Sequence, residues 1–205
     1  MPLILRINCK RPGKGAALAA SLLREGKIIA YPTETSYGIG ANALDEKAVK
    51  RVHEVKGQGF GKPISVIVPS LDAAKKIGKI GKDAEKLVNE FMPGPLTLVV
   101  DKKENVPDAL SEGGIAFRIS SNPVANGIAR IFKGAITATS ANLTGEEPIF
   151  SGEEAAEKLG GKVDLIVDCG SLEKKEASTI FDMRTGKVLR EGPVKGKEIM
   201  RVLGE

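Results

Sequence analysis

Four consecutive apolar residues, Ile28 to Tyr31, stand between an alanine- and leucine-rich segment, AALAASLLRE, and a run of small polar residues that begins after Pro32. A short unbroken apolar run reads as a strand buried on both faces, and such strands sit in α/β folds with helices packed against them. The segment before it has the composition of such a helix, and Gly26 closes it. The polar groups then fall at the strand's end, where open α/β sheets hold their ligands. Gly38 and Gly40 follow, and glycine lets a ligand come close to backbone. Asp45 suits the N-cap of a helix whose apolar positions Ala48, Val49, Val52 and Val55 keep three- and four-residue spacing, and which carries Lys56 out at its C-terminal end. Residues 28–63 therefore suit a pocket for a nucleotide or a small acid. An ordinary strand, turn and helix ending in a solvated lysine fits the same composition.

Along the chain, Leu3 to Ile7 is expected as an edge strand, and Ile64 to Val68, Leu96 to Val100, Ile115 to Ile119, Ala135 to Ala138 and Leu165 to Val167 as further strands. Ala84, Leu87, Val88 and Phe91 mark a helix that the proline-rich turn at Pro93 to Pro95 stops. Pro123 to Phe132, Gly152 to Leu159 and Lys197 to Leu203 read as helices, and Thr179 to Met183 with Val188 to Arg190 as a hairpin around Thr185 and Gly186. Helices and strands alternate for most of the length, which indicates α/β or α+β packing: a twisted open mixed sheet with flanking helices. At 205 residues and 41% hydrophobic content one domain is expected over 1–205. Residues 145–152 are the most loop-like stretch and could close over the pocket.

Thirty-one basic and 26 acidic side chains leave +5, an excess that suits anionic partners such as nucleotides or tRNA. With no tryptophan, two tyrosines and six phenylalanines, the chain is poorly supplied with stacking platforms for single-stranded nucleic acid. Lys75, Lys76, Lys79 and Lys82 form a solvated face or, less readily, a tRNA-facing patch. Cys9 and Cys169 lack a second cysteine nearby, which excludes a local thiolate metal site; both are expected reduced, in a cytoplasmic chain. His53, the single histidine, falls on a helix where partial solvation is expected; one imidazole excludes any mechanism that needs two, and a histidine-dependent triad is not expected. No apolar run approaches the roughly 18 residues of a membrane span.

Three polar clusters end or interrupt apolar strands: Thr33-Glu34-Thr35, Arg118, and Ser140-Ala141-Asn142. They could converge on one crevice. A charge inside a strand needs a partner or a ligand, so Arg118 is either a ligand contact or half of a structural ion pair. Ser140 and Asn142 either touch a ligand or shape the turn after their strand. There is no phosphate-binding glycine loop with its lysine and hydroxyl pair, no GxGxxG and no nucleophile elbow. With Lys56 and Arg118 as cationic donors, the groups suit phosphates and a carboxylate, as in nucleotidyl transfer through positioning and charge stabilisation.

The blocks YPTETSYGIGANALDEKAV, PGPLTLVV, the strand around Arg118, ATSANLTG, STIFD and VLREG occur in the order seen in the YrdC-like family of threonylcarbamoyl-AMP synthases, which the chain resembles over nearly its whole length. The resemblance implies a twisted mixed α/β sheet with a large, concave, basic cavity. It also implies condensation of L-threonine, bicarbonate and ATP to threonylcarbamoyl-AMP and pyrophosphate, towards threonylcarbamoyladenosine in tRNA. By it, Lys56 and Arg118 are catalytic. Thr33, Arg118 and Ser178 contact threonine, and Lys56, Ser140, Asn142 and Arg190 contact the nucleotide. Magnesium enters with ATP and not through protein ligands; tRNA or a transferase complex are further partners, and no membrane is. The chain departs from the family after Lys56-Gly57, where Gln58 stands in place of the usual arginine. A neutral amide lacks arginine's charged fork, and Lys62 is the candidate to compensate. The chain is also expected to lack the additional C-terminal domain of longer members. The competing reading is a diverged paralogue that keeps the cavity and binds nucleotide, double-stranded RNA or tRNA; a purely structural subunit would not need so many polar strand ends.

Overall fold

The computed structural model describes residues 2–59, 61–143 and 145–204; Phe60, in the loop after Lys56, and Thr144, in ATSANLTG, lie outside the described residues. The elements run β1 (Leu3–Arg6), α1 (Gly13–Arg24), β2 (Ile29–Pro32), β3 (Tyr37–Gly40), α2 (Glu46–Lys56), β4 (Val66–Ile67), α3 (Leu71–Ile77), α4 (Lys82–Phe91) and β5 (Leu96–Asp101). There follow β6 (Gly114–Arg118), α5 (Pro123–Phe132), β7 (Ile136–Thr137), β8 (Thr139–Ser140), α6 (Gly152–Leu159), β9 (Leu165–Asp168), β10 (Thr179–Asp182), β11 (Lys187–Arg190) and α7 (Gly196–Leu203). The strands form two mixed sheets, one in the order β1-β9-β2-β3-β8 and the other β11-β10-β5-β6-β4-β7. The chain passes between them at Ala138, where β7 ends on the second sheet and β8 begins on the first.

The apolar run at 28–31 is buried on both faces, as its composition requires. Successive strand residues point to opposite sides, so Ile28 and Ala30 join a core with Val49, Val52, Leu98 and Phe117. Ile29 and Tyr31 face the other way, onto Ala16, Ala19 and Leu23 of α1 and Val124 and Ile128 of α5. Each valine, leucine or isoleucine side chain sealed there contributes about 1.5–3 kcal/mol relative to exposure, and each alanine less. At α2, the Asp45 carboxylate accepts from the amides of Lys47 (3.0 Å) and Ala48 (3.2 Å), and Gly57 ends the helix in the left-handed region at φ 61°.

Several expectations are corrected here. The polar stretch after Tyr31 is a tight hairpin turn, and the residues beyond it form β3, antiparallel to β2 in the register Tyr31↔Gly38 and Ile29↔Gly40. Gly40 serves this packing rather than a ligand: a Cβ there would stand 2.8 Å from the Tyr31 ring. His53 is fully buried, not partly solvated. Its Nε2 lies 2.7 Å from the Ala109 carbonyl and its Nδ1 3.1 Å from the Gln58 side-chain amide. A carbonyl only accepts, so Nε2 is assigned the proton and Nδ1 accepts from Gln58. Cys9 and Cys169 are joined in a disulfide and are not free thiols, because parallel pairing of β1 with β9 brings their Cα atoms to 5.6 Å.

Candidate active site

A cavity of about 680 Å3 takes its lining from both sheets. The alternation of β5 and β6 decides what it meets. Leu98, Phe117 and Ile115 turn into the core, which leaves Thr97, Val99, Ala116 and Arg118 facing the cavity. The β2–β3 turn adds Thr33, Thr35 and Ser36, β8 adds Thr139 and Ser140, and the chain around the last hairpin adds Ser178, Arg184 and Arg190. Pro148 and Phe150, from the segment expected as a lid, also line it; the Ile149 carbonyl there accepts from the Tyr37 amide at 2.9 Å.

Arg118, 5% exposed, meets its requirement for a partner through Glu34: Nε donates to Oε1 at 2.8 Å. The Ser120 hydroxyl donates to the other oxygen of the same carboxylate. Ser178 is the centre of a second network. Its Oγ lies 2.9 Å from Thr97 Oγ1, its carbonyl accepts from Arg190 Nε at 2.9 Å and its Oγ from Arg190 Nη2 at 3.1 Å. Burial, and after it the charge of Arg118, hold the Arg190 guanidinium below its ordinary value. Two guanidiniums thus face one cavity close enough to repel. The Thr33 hydroxyl is taken up inside its own turn, donating to the Ser36 carbonyl at 2.7 Å.

Lys56 and Asn142 do not line the cavity; they lie behind it. The Lys56 ammonium, 4% exposed, donates to the Ser140 carbonyl (2.6 Å), the Asn142 carbonyl (2.5 Å) and the Ser140 hydroxyl (3.3 Å). It fixes the backbone at 140–142 and sets positive charge beside the Ser140 hydroxyl; Ser140 itself lines the cavity. Burial first, and then the charge of Lys62, lower its pKa to about 8. Asn142 donates to the carbonyls of Leu143 (3.0 Å) and Glu146 (2.7 Å), while its own Oδ1 is buried with no partner among the described residues. Lys62 is exposed between the lining residues Gly61 and Pro63. Gln58 turns to His53 and not to the cavity.

Residues not singled out for roles by the sequence also appear here. Glu34 stood in a polar cluster without an assigned partner. Thr97 was legible as an alternate position of LTLVV. Arg184 pairs in bidentate fashion with Asp182 (2.9 and 2.8 Å), and a Cβ on Gly114 would lie 2.5 Å from its Nη1. Among the described residues no group of three or more His, Cys, Asp or Glu is placed to hold a metal ion.

The fold and the cavity define a mixed α/β protein with arginine and hydroxyl groups converging from two sheets. A family profile described as telomere recombination, that of Sua5, YciO and YrdC, matches residues 21–192, and the chain belongs to that family. The threonylcarbamoyl-AMP synthase of Pyrococcus abyssi is 39% identical over 193 residues, which are 92% of this chain and 57% of that protein. A putative threonylcarbamoyl-AMP synthase of Methanocaldococcus jannaschii is 34% identical over 178 residues, 86% of this chain and 84% of that one. Among solved structures, P. abyssi Sua5 complexed with L-threonine has a TM-score of 0.90 at 36% identity, covering 100% of this chain and 61% of that one. E. coli YciO has a TM-score of 0.88 at 26% identity, over 97% and 100%. The chain thus spans little more than half the length of the Pyrococcus relative.

Proposed function

We propose that the protein is a threonylcarbamoyl-AMP synthase, a nucleotidyltransferase that takes L-threonine, bicarbonate and ATP. The observation that carries this is the meeting of Arg118 and Arg190 with the hydroxyl-bearing residues Ser140, Ser178 and Thr97 around one cavity of about 680 Å3. Paired guanidiniums suit a carboxylate and a polyphosphate, and hydroxyls suit an amino acid's polar groups. The likeness to the Pyrococcus threonylcarbamoyl-AMP synthase and to Sua5 complexed with L-threonine supports it.

In this reading the threonine amine attacks the bicarbonate carbon and water leaves, giving a carbamate. A carbamate oxygen then attacks the α-phosphorus of ATP and the α–β P–O bond breaks, releasing pyrophosphate. No side chain acts as nucleophile. Arg118 and Arg190 hold and offset anionic charge, and Lys56 keeps the 140–142 backbone and the Ser140 hydroxyl in place. Magnesium would come with the nucleotide, as part of the substrate. The product's use implies tRNA, or a complex that modifies it, as a later partner.

Purified protein given ATP and magnesium is expected to release pyrophosphate only when threonine and bicarbonate are both present, with the adenylate identified by mass. A second reading, a diverged member that binds nucleotide without this condensation, draws on the engagement of Lys56 by backbone carbonyls. ATP binding without pyrophosphate release would establish it in place of the first.

A further inference from the structure

We infer that Glu34 is a positioning residue for Arg118: it takes up Nε and leaves both Nη nitrogens to receive a substrate carboxylate end-on. The inference deepens the synthase reading and rests on it for the identity of the substrate. A guanidinium offers a carboxylate two edges, the pair of Nη nitrogens or the pair of Nε and one Nη. Here the second edge is closed, since Nε donates to Glu34 Oε1 at 2.8 Å. Neither Nη has a protein acceptor among the described residues, and the side chain lines the cavity.

The carboxylate that closes it is itself held. Ser120 donates to its second oxygen, and the Ser120 hydroxyl in turn accepts from the Asn122 amide at 3.1 Å. The Ser120 carbonyl accepts from Asn126 Nδ2 at 2.9 Å, which ties the group to α5. On the other side Glu34 belongs to the four-residue turn whose Thr33 hydroxyl accepts from the amides of Thr35 and Ser36, both at 3.3 Å. A turn on the first sheet therefore aims an arginine of the second. Glu34 also supplies negative charge beside Arg118, where the nearby Arg190 guanidinium would otherwise push against it. A buried pair that only fastened the two sheets would need neither a free Nη edge nor a cavity in front of it.

The test is steady-state kinetics of Glu34→Ala and Glu34→Gln. The alanine variant is expected to raise KM for threonine about tenfold, near 1.4 kcal/mol, with KM for ATP and kcat at saturating threonine within about twofold. Glutamine retains an acceptor for Nε and should recover most of the loss. A threonine KM within about twofold of the unmodified protein in Glu34→Ala, or equal losses for both substrates, overturns the inference. Should the alanine variant fail to fold, NMR of the unmodified protein decides, with Arg118→Lys used to assign the signal. The Arg118 Nε–H should exchange slowly and stay in place when threonine is added; exchange at the rate of an exposed arginine overturns the assignment. A protein that takes no threonine defeats the synthase reading by itself, and the Nε–H exchange rate still decides whether Glu34 fixes Arg118.

Discussion

Lys56 is an ammonium almost out of water, donating to three oxygens and near enough to Lys62 to feel its like charge. Its folded pKa of about 8 lies below the ordinary lysine value of 10.5. Below pH 8 both folded and unfolded chains carry the proton, and the penalty for burying the charge is borne in full. Between pH 8 and 10.5 the unfolded chain binds more protons than the folded one, so this group makes stability rise with pH. Tyr37 opposes it at the upper end, since burial pushes its phenol up to about 12 and the folded chain keeps a proton that the unfolded chain loses above about 10. Denaturant midpoints are therefore expected to climb from pH 8 towards 10 and fall beyond it. Lys56→Met should abolish the climb, and Lys62→Met should move its onset to higher pH, because the like charge is gone. A flat profile from pH 8 to 10 in the unmodified protein would contradict the assignment. The sequence marked Lys56 as a charge leaving a helix end but could not show its target: the Ser140 and Asn142 carbonyls lie 84 and 86 positions away. Arg118 was legible for the opposite reason, as a charge inside an apolar strand that had to find a partner; Glu34 is 84 positions distant, and no local pattern encodes it.

At the scale of elements, helix ends and strand alternation were readable and strand partners were not. The Asp45 cap, the α5 span at Pro123–Phe132 and the last hairpin follow from local chemistry. Strand β3 escaped because Tyr-Gly-Ile-Gly has two glycines, which weaken a strand by composition; its neighbours accept them, since Tyr31 fills the room that a Gly40 side chain would take. The division into two sheets escaped as well, because the change of sheet at Ala138 falls in a continuous stretch of small and β-branched residues with no turn signal. Two substitutions test how these elements are held. Asn122 caps α5 by accepting from the amides of Val124 (2.9 Å) and Ala125 (3.3 Å), so Asn122→Ala should cost about 1 kcal/mol by chemical denaturation. Gly152 opens α6 against Asp168, where a Cβ would stand 2.0 Å from Oδ1. Asp168 cannot step aside freely, because it also accepts from Arg6 Nε at 3.0 Å and the Gly170 amide at 2.7 Å. Gly152→Ala is thus expected to destabilise by about 1–3 kcal/mol, the range of an overpacked core position. A thermal midpoint unchanged by that substitution would mean that Asp168 gives way at the α6–β9 contact.

Over the whole molecule, the N-terminal strand β1 is fastened to β9, a strand far along the chain. Strand β1 is the edge of the first sheet, and Leu3 and Ile4 on it are about half exposed, so its apolar burial holds it weakly. The Cys9–Cys169 disulfide stands just beyond the Arg6↔Asp168 pair and closes a loop with a sequence separation of 160. Composition and the expected compartment argued for free thiols; only the parallel pairing of two strands far apart in sequence shows that the sulfurs meet. A cross-link over so long a loop restricts the unfolded chain strongly, and such bonds stabilise by about 2–4 kcal/mol. Its far end also reaches the cavity wall. The Cys169 amide donates to the Tyr37 hydroxyl at 2.9 Å, and that hydroxyl donates to the Gly170 carbonyl at 2.9 Å. Reduction should therefore lower the free energy of unfolding by an amount in that range and the denaturation midpoint with it, and hydrogen exchange should quicken first in β1 and at 169–170, before β5 and β6 respond. Intact mass before and after alkylation without reductant reports the bond itself. Two alkylated thiols in the untreated protein, or a midpoint that reductant does not move, would leave β1 held by its backbone pairing with β9 and the Arg6–Asp168 ion pair.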